Sequence, residues 1–217
     1  DLRPPGGQRR PCPRESVEHA RDTAAPVRTH PPGDRGGRDR DRTRKGQELF
    51  LEAINMVNIQ LGYEAFYAVI LGSDQGRDLF KKKLIRLSEQ YRMTKQVKFI
   101  DHCKDMALAY KVSDIIISAS IEPEAFGRVA VEAQSMEKVI IASDIGGSNE
   151  TVIDEKTGYL FEAGNANSLS KKILKVLNLD DTTIKTIGTE GRKNIVNKFN
   201  VEKMCFSTYS EYKKLIN

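Results

Sequence analysis

Residues 113–136 read SDIIISASIEPEAFGRVAVEAQSM, and the organisation of the whole chain follows from this stretch. The apolar run at 114–118 does not alternate with polar residues, which suits a strand covered on both faces in a parallel sheet. Pro123 beside Glu124 then fixes a rigid turn. Ala125, Phe126 and Gly127 lead into a helix at about 127–136, with Val129, Ala133 and Met136 able to face the sheet. A strand, a turn and a helix in that order place the turn at the carboxyl end of a strand. Open α/β sheets bind ligands there, at the point where the winding reverses.

The same pattern continues to either side. Strand-length apolar runs occupy 66–71 (FYAVIL), 97–100, 139–143 (VIIAS) and 159–161. Helical spacing is found at 47–60, 77–91, 106–110, 149–153 and 168–177, and two more helices are expected after 181 and after 201. Short strands divided by helices predict an α/β fold, a doubly wound, Rossmann-like parallel sheet. The usual strand order of such a sheet is 3-2-1-4-5-6. If 66–71 is the second strand, the first belongs just before Lys45, at the middle of the sheet.

No strand-length apolar run stands there. Residues 1–44 hold eleven Arg, no Lys, seven of the eight Pro and seven acidic residues, a net +4 of the chain's +5. Such a segment cannot bury enough apolar surface to offset the entropy of ordering it, so a disordered tail at 1–44 and a folded domain at 45–217 are expected. The tail would leave a gap at the centre of the sheet. Its Arg-only composition, against the Lys-rich remainder, reads as an out-of-frame or foreign stretch.

Composition excludes several classes. No apolar run approaches the roughly eighteen residues of a membrane span and the first residues hold no apolar h-region, so neither a span nor a secretory signal is expected. Cys12, Cys103 and Cys205 are widely spaced, which argues against a disulfide framework or a zinc site and for a reducing compartment. Acidic residues interleave the tail's arginines and no aromatic accompanies them, so no nucleic-acid partner is expected. No GxGxxG follows a strand, which disfavours a nicotinamide dehydrogenase. Asp39-Arg40-Asp41 matches a D-x-D metal pattern, but without a strand before it, and no metal site is assigned. The chain begins at Asp1 and is read as a fragment.

The turn before residue 128 carries the chemistry. Free amides and the positive dipole end at that helix start suit a phosphate. Glu132 lies six residues beyond Phe126, about 9 Å along a helix axis, which spans the distance from a pyrophosphate to its ribose. A carboxylate there can accept both ribose hydroxyls, while Glu124 can reach the group beyond the phosphates. Arg128 and Glu132 are also spaced to pair across one turn. His102 and the lysines at 81–83 read first as surface, and Gly146-Gly147 as a tight turn before a helix, with Glu150 behind it a secondary candidate.

EPEAFGRVAVEA, in which Glu124 and Glu132 are separated by seven residues, resembles the motif of family 4 glycosyltransferases, the group 1 type with the GT-B fold. The resemblance extends to LGSDQGR at 71–77, VKFIDH at 97–102, SDIIISAS at 113–120 and the Gly-rich stretch at 139–165, covering about 45–217. It implies the C-terminal, donor-binding half of a retaining enzyme that uses a nucleotide-diphosphate sugar, with no cofactor and no required metal. Glu124 would contact the donor sugar, Glu132 the ribose, and the amides around Phe126 and Gly127 the diphosphate. The family pattern G-R-x-x-x-x-K-G supplies two cations to the leaving pyrophosphate. Lys45-Gly46 matches its end; Arg40 has the Arg spacing, although Asp39 replaces the Gly.

The nearest flavour is that of bacterial enzymes building lipopolysaccharide core or other envelope glycans. Its partners would be the nucleotide-sugar donor and a separate N-terminal acceptor domain. The expected location is cytoplasmic, with peripheral inner-membrane association through that domain left open. The fragment alone is expected to be inactive. A non-catalytic nucleotide-sugar binding module and a GT-B nucleotide-sugar epimerase are the alternatives.

Overall fold

The computed structural model describes residues 24–28, 45–62, 65–72, 78–101 and 103–216. The strands are β1 (Ala24–Arg28), β2 (Tyr67–Leu71), β3 (Val97–Ile100), β4 (Ile115–Ser118), β5 (Val139–Ser143) and β6 (Tyr159–Phe161). The helices are α1 (Gln47–Leu61), α2 (Asp78–Gln90), α3 (Met106–Val112), α4 (Arg128–Ser135), α5 (Ser148–Thr151), α6 (Ala166–Leu177), α7 (Asp181–Lys198) and α8 (Val201–Ile216). The strands form one sheet in the order β3-β2-β1-β4-β5-β6, and every pairing is parallel. The winding reverses between β1 and β4, as the α/β reading anticipates.

The expected gap at the centre of the sheet is not found. Ala24–Arg28, inside the segment expected to be disordered, fills that slot, in register with Tyr67–Leu71 of β2 and with Val27 opposite Ile117 of β4. Sequence reading passes over this segment because Pro26 cannot donate to a ladder and Pro is rare in central strands. The flanks supply the physical reason for its place. β2 and β4 would otherwise turn unpaired backbone edges toward each other in the interior, and such groups are costly without partners. The rest of 1–44, including Arg40 and the Asp39-Arg40-Asp41 pattern, lies outside the described residues.

Period-two alternation divides β4 and β5 between two apolar layers. Ile115, Ile117, Val139 and Ile141 face α1 and α6, packing with Phe50, Leu51, Ile54, Val57, Leu169 and Ile173. Ile116, Ile140 and Ala142 turn to the opposite layer, against Tyr110, Val129, Ala130 and Ala133. That second layer fixes α4 on the sheet, and α4 carries the candidate site. Among the described residues, no helix is long and apolar enough to cross a membrane.

Candidate functional site

The site forms beyond the carboxyl end of β4, where the residues entering α1 meet the β4–α4 loop. Gly46, the N-cap of α1, has φ +67°, and a Cβ built on it would lie 1.8 Å from the Ala119 carbonyl oxygen. Only glycine tolerates both that dihedral and that approach. The start of α1 is thereby pressed against the chain leaving β4, and Lys45 is held above the following loop.

Lys45 Nζ lies 2.6 Å from Glu124 Oε1. The buried Ser120 donates its hydroxyl to the same carboxylate oxygen. Glu124 is largely enclosed, with its side chain 14% exposed, while that of Lys45 is 26% exposed. The desolvation of such a pair offsets much of its Coulomb attraction, so its effect is to fix positions more than to add stability.

A second loop carries this turn from below. Gly147 N–H donates to the Glu124 carbonyl at 2.7 Å. A Cβ on Gly146 would come within 2.6 Å of that carbonyl oxygen, and one on Gly147 within 2.5 Å of the Phe126 carbonyl carbon. The two glycines read from sequence as a tight turn thus form the floor under Glu124 and Phe126. Gln134 ties this floor to α4, its Nε2 donating to Ala130 O at 3.1 Å and to Thr151 O at 3.0 Å. Gly127, at φ +69°, turns the chain into α4. Phe126 is 44% exposed beside it, in edge contact with Phe199 at 5.6 Å between centroids.

One turn into α4, the Glu132 carboxylate is held on both oxygens. Tyr110 donates its hydroxyl to Oε2 at 2.8 Å, and Arg128 Nη2 stands 3.3 Å from Oε1. The pairing of Arg128 with Glu132 across one turn is therefore present, in its structural role.

Lys45 and Glu124 accordingly meet just before the Phe126–Gly127 turn, and Glu132 lies one turn into the helix that this turn begins. Arg40 and His102 lie outside the described residues, and Glu150 is exposed on α5. Sequence reading missed Ser120 and Tyr110. Ser120 sits in an irregular loop where no periodicity marks it. Tyr110 gave one usable signal: a buried phenol needs a partner for its hydroxyl. Among the described residues, no group of three or more His, Cys, Asp or Glu is arranged to hold a metal ion.

Residues 39–194 match the profile of the family described as "Glycosyl transferases group 1". The chain belongs to this family. It is 34% identical over 103 residues to the capsular polysaccharide biosynthesis glycosyltransferase CapM of Staphylococcus aureus, an alignment covering 48% of this chain and 27% of CapM. Its fold superposes on a glycosyltransferase from Rickettsia africae with a TM-score of 0.76 and 29% identity, over 91% of this chain and 48% of the other. Anabaena Alr3699/HepE, solved in complex with UDP-glucose, shares the fold at a TM-score of 0.74 and 21% identity, over 89% of this chain and 49% of the other. The chain thus spans about half the length of these two solved proteins, and its aligned part about a quarter of CapM.

Proposed function

We propose that this chain is the donor-binding half of a retaining glycosyltransferase. It takes a sugar from a nucleotide diphosphate and, within the whole enzyme, passes it to an envelope-glycan or lipopolysaccharide-type acceptor. The observation that carries this reading is the contact between Lys45 and Glu124 at the point where the sheet's winding reverses. It brings a cation and a carboxylate from distant parts of the chain to the place where a diphosphate and its sugar would lie.

In this reading the amides of Phe126 and Gly127 and the start of α4 receive the diphosphate. Lys45 neutralises the charge that develops on the leaving pyrophosphate, which is electrostatic stabilisation of the transition state without a metal. Arg40 is proposed as the second cation, at the spacing of the family pattern. Glu124 contacts the donor sugar and Glu132 the ribose. The UDP-glucose bound by HepE and the capsular glycan role named for CapM support the donor class and the kind of product. Residues 45–217 form the donor domain, joined by β1 from the preceding segment. An N-terminal acceptor domain completes the cleft, and by itself the chain does not turn over. A cytoplasmic location, with inner-membrane association through the acceptor domain, follows from the same reading.

The test is a transfer assay on a two-domain protein carrying this chain, compared with its Glu124→Ala variant. Lost transfer with retained nucleotide binding supports the enzyme. No transfer by the unsubstituted protein supports a binding module, and turnover by the isolated chain contradicts the need for a second domain.

A further inference from the structure

We propose that Tyr110 is a positioning residue for Glu132, and that through this contact the site prefers a ribose to a deoxyribose nucleotide. The proposal rests on the reading of Glu132 as the ribose ligand and names a determinant that the paired-Glu pattern does not contain.

Tyr110 comes from α3, twenty-two positions before Glu132, and crosses to α4. Its residue surface is 3% exposed, with the ring packed among Ile116, Val129, Ala130 and Ala133. A ring enclosed in that way has little freedom at either torsion, so its hydroxyl oxygen occupies a fixed point at the edge of the core. From that point it donates to Glu132 Oε2 at 2.8 Å. A hydrogen bond to an ionised carboxylate is stronger and more directional than one between neutral groups.

The hold that Arg128 has on the carboxylate is of a different kind. Arg128 has a half-exposed side chain and reaches Oε1 at 3.3 Å, a geometry that solvent screens and side-chain entropy weakens. Tyr110 is therefore the rigid member of the pair. Accepting hydrogen bonds from two neighbouring hydroxyls requires a carboxylate plane held to within a few tenths of an ångström, whereas a glutamate on a helix surface samples several rotamers. Anchoring Oε2 from the core removes that freedom before the nucleotide arrives, which lowers the entropic cost of binding it.

The experiment is calorimetric titration of the full 217-residue chain with UDP and GDP, continued with the tighter of the two and its 2′,3′-dideoxy counterpart. Wild type should prefer the ribonucleotide. Tyr110→Phe, which removes one oxygen and keeps the ring, should weaken ribonucleotide binding about fivefold and leave dideoxynucleotide binding unchanged. In a Glu132→Gln background the same change should add nothing. Circular dichroism melts of each variant establish that the comparison is between folded proteins.

Equal weakening of both nucleotides by Tyr110→Phe, or of neither, overturns the positioning role while leaving Glu132 as the ribose ligand. Wild type that binds both nucleotides equally overturns the reading of Glu132 itself, and Tyr110 with it. Absence of any UDP or GDP binding does the same.

Discussion

Lys45 and Glu124 stand seventy-nine positions apart in sequence, yet their side chains meet at 2.6 Å where the windings from β1 and β4 diverge. Neither residue reaches that point by itself. Gly46 packs the start of α1 against Ala119, and Gly146-Gly147 support the loop that presents Glu124. A diphosphate entering beside Phe126 would compete with Glu124 for the lysine. In the proposed donor site the ion pair would be a preformed cation, held in place by a carboxylate that the diphosphate displaces.

Lys45→Met should therefore weaken UDP binding to the chain by about tenfold, roughly the loss of one charge-assisted contact to phosphate. Raising the salt concentration should weaken wild type more than the variant. Titration calorimetry at two ionic strengths reads both effects. Unchanged affinity would remove Lys45 from the diphosphate site.

Gly147→Ala places a methyl carbon within 2.5–2.7 Å of three Phe126 main-chain atoms. Backbone cannot yield as a side-chain tip can, so a loss of about 2–4 kcal/mol is expected, together with displacement of the loop carrying Glu124. Gly164→Ala is the control. Unlike Gly147, whose φ of −61° suits any residue, it has a positive φ, +77°, but nothing lies near its added carbon, so only the dihedral cost of about 1 kcal/mol should appear. Equal losses in urea unfolding would contradict the close approach.

The layered α/β architecture was legible in the sequence wherever strands are uniformly apolar. IIIS at Ile115–Ser118 and VIIAS at Val139–Ser143 need no tertiary information, because covered parallel strands carry this signature. Ala24–Arg28 was not legible. Its place is dictated by the edges of β2 and β4 on either side, which no local propensity reports. At the site, Glu124 and Glu132 could be placed from their spacing and the turn between them. Tyr110 and Ser120 could not be assigned as their partners, since each contact is formed only when separate elements pack.

Removing residues 1–44 tests the central strand directly. With β1 gone, β2 and β4 lose their shared partner, so residues 45–217 should lose the cooperative thermal transition of the full chain or melt at a markedly lower temperature. A truncated protein as stable as the full chain would mean that Ala24–Arg28 contributes nothing to the sheet.

A pH effect is expected at the start of α7. Asp180 is its N-cap, accepting from the Thr183 hydroxyl at 2.7 Å and from the Thr183 amide at 2.9 Å. These bonds, the hydroxyl first, hold its carboxyl below the ordinary carboxylate range. Because the folded value is the lower one, the stabilisation is complete above the unfolded value near 4 and fades as pH falls through the folded one. The stability difference between wild type and Asp180→Ala should therefore be constant from pH 7 to about 5 and narrow below about pH 4. A difference that does not vary with pH would exclude the charged cap.

The most direct measurement is a crystal structure of this chain with UDP, or with GDP if that binds more tightly. The expected result is a diphosphate against the Phe126 and Gly127 amides at the start of α4, within reach of Lys45, with the ribose hydroxyls on Glu132. A nucleotide bound elsewhere, or none at concentrations that saturate related enzymes, would contradict the assignment of a donor site to this turn.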